Sequence, residues 1–138
     1  MSNEDSQPVV PYLTVAGAAE ALAFYARVFD AEERGRMMAE DGKRIMHACF
    51  AINGGLVYVS DEFPEFENAM APQAGQAPPI AVALRFATPA EVNVRFTGAI
   101  EAGATAEMAP MDAFWGDRFA TIRDPFGHRW MLTAPLKV

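Results

Sequence analysis

The feature that most constrains this chain is a repeated order of predicted elements, in which a strand and a helix are followed by three strands in each half. The predicted strands are 9–15, 31–38, 44–52 and 56–60 in the first half, and 80–86, 105–108, 114–123 and 129–134 in the second. Each half leaves one sheet face that needs a partner, and two such halves can bury that face mutually. The repeat therefore predicts an α+β fold built from two βαβββ modules.

Both predicted helices have clear local signals. Apolar residues in 18–29 recur at steps of three and four, the period of an amphipathic helix with one buried face. The second helix begins after Thr88, with Pro89 at its first position and Glu91 in the capping-box position. Near the end of the chain, Asp124-Pro125-Phe126-Gly127 has the composition of a tight turn, and we interpret its aspartate as structural.

The chain of 138 residues is 51% hydrophobic, which is enough to bury one core without disulfides or a structural metal. We expect a single domain over 1–138, with module one at about 8–61 and module two at about 80–138. The connecting loop at about 62–79 contains four prolines and is interpreted either as a lid over a site or as a mobile linker.

Charge and composition exclude several classes of partner. The 18 acidic and 11 basic residues give a formal charge of −7 with no basic stripe, so we expect no nucleic-acid partner. Cys49 is the only cysteine, so no intrachain disulfide can form. The start of the chain is polar and no apolar run reaches the ~18 residues needed to span a bilayer. We expect a cytoplasmic protein with no membrane partner.

Several short motifs, in their order and spacing, resemble the PhnB-like branch of the vicinal oxygen chelate superfamily, which includes glyoxalases, bleomycin-resistance proteins and extradiol dioxygenases. The motifs are Pro11-Tyr12-Leu13, Glu20-Ala21-Leu22-Ala23-Phe24-Tyr25, Ile45-Met46-His47-Ala48, Ser60-Asp61, Trp115-Gly116-Asp117-Arg118 and Asp124-Pro125-Phe126-Gly127-His128-Arg129-Trp130. The resemblance implies that the paired modules make a curved mixed sheet around a cup that holds a small molecule, commonly in a homodimer.

The resemblance also implies a divalent metal held by His and Glu side chains that line the cup. In this chain the corresponding positions fall near Val10, near Tyr58 or Val57, near Ile80 and on Met131. None of these side chains coordinates such an ion in the usual way, so no metal ligand and no cofactor are predicted. An atypically bound divalent metal is the alternative.

His47 is the first candidate catalytic residue, because it is a titratable imidazole in the middle of an apolar strand. It is interpreted as a general base or lone metal ligand, or else as a hydrogen-bonded histidine of a half-buried sheet. Asp61 is the second candidate, since it ends a strand where it could pair with His47 and orient its tautomer. The alternative for Asp61 is a turn-capping role.

Five residues are expected to line the ligand pocket, namely Tyr12, Tyr58, Trp115, Arg118 and Met131. Trp115 would form a wall for an apolar ligand, and Arg118 would clamp a carboxylate or phosphate. The alternative for Arg118 is a structural ion pair with Asp117 or Asp124.

Three functions fit these observations. The first is a binding protein that holds a small organic molecule without the usual metal. The second is a lyase, isomerase or dioxygenase-type enzyme that uses His47 with Asp61 or an atypical metal. In the third, side chains of the protein itself fill the cup, and the surface or the dimer interface carries the function.

Overall fold

The computed structural model of the chain describes residues 7–66 and 70–137. The chain divides into two compact units, Met1–Ala74 and Gly75–Val138. This boundary falls inside the segment 62–79 that was predicted as a loop, although residues 67–69 of that loop lie outside the described part, as does the polar start at 1–6. Within the described residues, no helix is long and apolar enough to cross a membrane.

Each unit contains one helix and one four-stranded sheet, in the same order along the chain. Unit one comprises β1 (Tyr12–Val15), α1 (Ala18–Phe29), β2 (Glu32–Met38), β3 (Ile45–Ile52) and β4 (Gly55–Asp61). Unit two comprises β5 (Ala81–Arg85), α2 (Pro89–Glu101), β6 (Thr105–Asp112), β7 (Asp117–Arg123) and β8 (Arg129–Pro135). The two βαβββ modules and the α+β class are confirmed.

The two sheets also share one topology. Their strand orders are β1-β4-β3-β2 and β5-β8-β7-β6, so the first strand of each unit pairs with the last. This first pair is parallel and the other pairs are antiparallel. In each unit the helix connects the first strand to the far edge of the sheet and therefore covers only one face of that sheet. The opposite face of the sheet is the helix-free face.

Side chains alternate between the two faces as the pleat requires. In unit one, Phe50 of β3 stacks on Tyr25 of α1 with ring centroids 5.2 Å apart, which assigns the even-numbered residues of β3 to the helix side. In unit two, Ile122, Trp130 and Leu132 are fully buried and lie on the helix side. These residues form the apolar cores of the two units.

Asp61 fixes the start of α1. The residue before the helix, Gly17, has a φ of +103° and no side chain with which to cap the helix. Asp61 replaces that cap, because its Oδ1 accepts hydrogen bonds from the backbone N–H groups of Gly17 and Ala18, at 2.9 and 2.8 Å. Its Oδ2 accepts a third from Ile45 N–H at 2.7 Å. A buried carboxylate thus joins the ends of β4, α1 and β3.

Asp124 plays a comparable part in unit two. Its Oδ1 accepts from the backbone N–H groups of Phe126 and His128, both at 2.9 Å, which closes the turn between β7 and β8. Its Oδ2 accepts from the buried indole N–H of Trp130 at 2.8 Å. The structural interpretation of Asp124 is confirmed.

The predicted strand 114–123 begins later in the structure, at Asp117. Ala113 and Gly116 form a tight turn in which Ala113 N–H donates to Asp117 O at 2.8 Å and Gly116 has a φ of +98°. The strand predicted over 105–108 extends instead to Asp112, with bulges in its pairing that accommodate the missing N–H of Pro110.

Replacing Asp61 with alanine is expected to destabilise the fold by about 2–4 kcal/mol, because it leaves three backbone donors around a buried site without their acceptor. The same change at Asp41, an exposed residue that accepts from the backbone N–H groups of Lys43 and Arg44, serves as the control. It is expected to destabilise the fold much less than Asp61→Ala, since water replaces the lost acceptor. Urea unfolding at neutral pH measures both, and equal small losses would contradict the role given to Asp61.

Candidate functional site

An aromatic cluster lies on the helix-free face of the first sheet. Tyr12 and Tyr58 are register partners on β1 and β4, and His47 lies on the adjacent strand β3. The phenol Oη of Tyr12 and Nδ1 of His47 are hydrogen-bonded at 3.1 Å. Ring centroids are 5.6 Å apart for Tyr12 and His47, 5.8 Å for the two tyrosines, and 4.8 Å for His47 and Tyr58. The three predicted site residues are therefore brought together.

The cluster is accessible from one side. Tyr12 is 52% exposed, whereas His47 and Tyr58 are half-buried. Such a group presents apolar ring surface together with hydroxyl and imidazole atoms that can exchange hydrogen bonds. Its chemistry suits a polar contact with a ligand or a proton transfer.

The expected pair between Asp61 and His47 does not form. All three hydrogen bonds of Asp61 go to backbone N–H groups around the start of α1, and the side chain is buried there. The imidazole Nδ1 of His47 has the phenol of Tyr12 as its partner. Asp61 is the last residue of β4, and its side chain lies on the helix side of the sheet. Its contacts are therefore those expected from the alternative interpretation of Asp61 as a capping residue.

A hollow of about 620 Å³ lies on the helix-free face of the second sheet. Its volume is within the ~300–1,000 Å³ range of small-molecule sites. The lining residues are Pro79, Ala81, Glu107, Met108, Phe119, Thr121, Arg129 and Met131. Of the five residues predicted for the pocket, Met131 lines this hollow, and it lies between Ala83 and Thr121 in the sheet.

One side of the hollow is charged. Glu107 of β6 accepts through Oε1 from Arg129 Nε at 2.7 Å, and its Oε2 lies 2.7 Å from Arg123 Nη2. The hydrogen bond from Arg129, with the nearby charge of Arg123, lowers the pKa of Glu107 below its usual value. Glu107 in turn raises the pKa of Arg129. Glu107 and Arg129 are therefore both charged at neutral pH.

Arg118 was expected to clamp a ligand, and this expectation is corrected. Arg118 has the strand parity of Ala120 and Ile122, so it lies on the helix side of the sheet. There it forms an ion pair with Asp112 of β6, and its Nη1 donates to Asn93 Oδ1 on α2 at 2.9 Å. The alternative interpretation of Arg118 as part of a structural ion pair is confirmed, but its partner is Asp112 and not Asp117 or Asp124.

Trp115 lies in the turn before β7 and is 54% exposed. Its ring contacts that of Phe119 edge-on, with centroids 5.8 Å apart, and Phe119 lines the hollow. Trp115 therefore contacts a residue that lines the hollow but does not line the hollow itself. Sequence reasoning missed Phe119 although it follows Asp117 at the spacing that places both on one face.

The residues at the implied metal positions do not fit a divalent ion. Tyr58 and Met131 lie on the helix-free faces of their sheets and carry a phenol and a thioether, while Val57 lies on the helix side. Ile80, which is 76% exposed, and Val10 are aliphatic. Within residues 7–66 and 70–137, no group of three His, Cys, Asp or Glu side chains is arranged to hold a metal ion.

This chain belongs to the glyoxalase/bleomycin resistance protein/dioxygenase superfamily, whose family model matches residues 8–132. An uncharacterised protein of Mycobacterium bovis is 40% identical to it over 129 residues, which are 92% of this chain and 82% of that protein.

Solved structures of the same fold match most of the chain. A putative 3-demethylubiquinone-9 3-methyltransferase from Bacillus cereus, described as a PhnB protein, has a TM-score of 0.72 and 19% identity, and covers 93% of this chain and 99% of its own. The fosfomycin resistance protein FosX of Listeria monocytogenes, in complex with Mn(II) and sulfate, has a TM-score of 0.72 and 16% identity, and covers 96% and 94%. Both likenesses concern the fold.

Removing the charge of Glu107 tests the electrostatics of the hollow. Because the folded-state pKa of Glu107 lies below its ordinary value of 4.5, its ion pairs stabilise the fold fully above that pH. The stabilisation is lost as the pH falls through the lowered folded-state pKa. The unfolding free energy of wild type minus that of Glu107→Gln is expected to be constant from pH 7 to about 5 and to shrink below about pH 4. A difference that grows on acidification, in urea titrations across this range, would contradict the assignment.

Proposed function

We propose that this chain binds a small organic molecule in the hollow of its second unit, without the usual metal site of the superfamily. The observation that carries the proposal is a concave surface of about 620 Å³ with an apolar floor and a charged side. This combination is typical of small-molecule sites, where apolar contacts give affinity and a few polar groups give orientation.

The floor of the hollow is suited to a flat apolar ligand. Met108 and Met131 present flexible, polarisable thioethers that adapt to irregular shapes. Phe119 adds an aromatic surface, and Ala81 on the edge strand β5 is small enough to leave space above the sheet. The hollow is open to one side, so we expect moderate affinity, with dissociation constants of about 10–100 μM for a ligand of about 17 heavy atoms.

Binding of the neutral probe N-phenyl-1-naphthylamine tests this proposal. Met131→Lys places an ammonium group in the floor and is expected to weaken binding by at least about tenfold, because the charge is desolvated beneath the probe. Met70→Lys, at a methionine that is 46% exposed and does not line the hollow, is the matched control and should leave binding unchanged. The probe's fluorescence gives the dissociation constants, and equal values for wild type and Met131→Lys would reject the site.

A second candidate function is acid–base catalysis at the aromatic cluster, and the hydrogen bond of 3.1 Å between Tyr12 and His47 is the observation that favours it. In a lyase or isomerase, a positioned imidazole takes a proton from the substrate or returns it. Tyr12 would orient the ring through Nδ1, which would leave Nε2 as the reacting nitrogen. Asp61 has no part in this scheme because its oxygens bind backbone groups.

The metal alternative is tested by elemental analysis of the purified chain after dialysis against zinc or manganese. We expect no stoichiometric metal, because phenol and thioether groups replace the usual carboxylate and imidazole ligands. One metal per chain that is lost in His47→Ala, but retained when the other histidine is changed in His128→Ala, would overturn the metal-free proposal and favour an enzyme. The homodimer and the cytoplasmic location remain predictions from the sequence.

A further inference from the structure

We infer that the ligand of the hollow carries an anionic group, a carboxylate or a chemically similar sulfonate, next to its apolar body, and that Arg129 binds this group. The inference rests on the proposed function and adds the chemical class of the ligand.

The charged side has an excess of positive charge. Two guanidinium groups, those of Arg123 and Arg129, share the single carboxylate of Glu107. This leaves a local charge of +1 beside an apolar floor, in a chain whose formal net charge is −7. Because the whole chain repels anions, an anion that binds here must be attracted by this group rather than by the general field.

The two arginines also have more donors than acceptors. A guanidinium presents five N–H donors, and within the described residues Arg129 uses its Nε toward Glu107. Arg123 contacts Glu107 through Nη2, while its buried Nε has no hydrogen-bond partner in the described structure. The second edge of the Arg129 guanidinium therefore has donors for the paired oxygens of a bound anion.

The register places these donors beside the apolar floor. Arg129 is the partner of Ala81 on β5, and Met131 follows it on the same face of β8. Since residues two apart on a strand are about 6.8 Å apart, Arg129 lies next to the floor at Met131. A flat molecule with an acidic substituent on its ring system matches this spacing.

Two probes that share one carbon framework test the inference. N-phenyl-1-naphthylamine is neutral, and 8-anilinonaphthalene-1-sulfonate is the same molecule with a sulfonate. The wild-type chain is expected to bind the sulfonate at least about tenfold more tightly, the effect of one charge-assisted hydrogen bond. Arg129→Gln should remove this preference, so that its affinity for the sulfonate falls at least about tenfold more than its affinity for the neutral probe.

Glu107→Gln should act in the opposite direction. Removing the carboxylate that competes for both guanidiniums is expected to tighten binding of the sulfonate by about threefold to tenfold. A purely structural role for the ion pairs would instead weaken binding of both probes together. The control for Arg129→Gln is Arg34→Gln, which makes the same change in net charge by removing a cation that lies 3.6 Å from Glu32 in unit one.

The failures of the two proposals are distinguishable. Equal affinity for both probes in the wild type, with no effect of Arg129→Gln, would overturn the anionic ligand and leave the hollow as a binding site. Insensitivity of both probes to Met131→Lys would reject the hollow itself. If Arg129→Gln does not fold, as judged by thermal melting, Arg129→Lys keeps the charge without the planar fork and is expected to lose part of the preference. If Arg129→Lys retained the full preference for the sulfonate, this would contradict binding of the anion by the planar guanidinium of Arg129.

Discussion

The structure depends on one geometric constraint, which is that each four-stranded sheet has a single helix to cover it. The helix connects the first strand to the far edge and packs on one face, so only that face acquires an apolar core of the kind formed by Tyr25 with Phe50. The opposite face has no helix, and both candidate sites lie there. The aromatic cluster occupies the helix-free face in unit one, and the hollow occupies it in unit two.

The constraint also explains why two aspartates are buried. A short strand that leads at once into a helix leaves backbone donors without partners, and a glycine at the junction has no side chain to cap them. Asp61 satisfies this need in unit one from the end of a different strand. Asp124 meets a related need in the β7–β8 turn of unit two and binds Trp130 as well. These carboxylates stabilise the framework that positions the sites.

The sequence predicted most of the fold, because the relevant signals are local. The three- and four-residue period of α1 gave its bounds, and the Thr88 cap with Pro89 gave the start of α2. The site was harder to predict, since its contacts are between strands. The partner of Arg118 lies on β6. The bulges of β6 interrupt the alternation of its side chains between the two faces of the sheet, so this alternation could not predict on which face Asp112 and Glu107 lie. The resemblance to the superfamily predicted Met131 as a pocket residue, and it lines the hollow, but no local signal showed that Asp61 faces the helix.

The central claim, that the hollow of unit two is the binding site, is tested most directly by nuclear magnetic resonance of the methionine methyl groups. The chain has eight methionines, and they include Met108 and Met131 in the hollow and Met37, the register partner of His47 on β2. Titration with 8-anilinonaphthalene-1-sulfonate is expected to shift the signals of Met108 and Met131 in a saturable way. Shifts at Met37 with none at Met108 or Met131 would contradict the claim and move the site to the aromatic cluster.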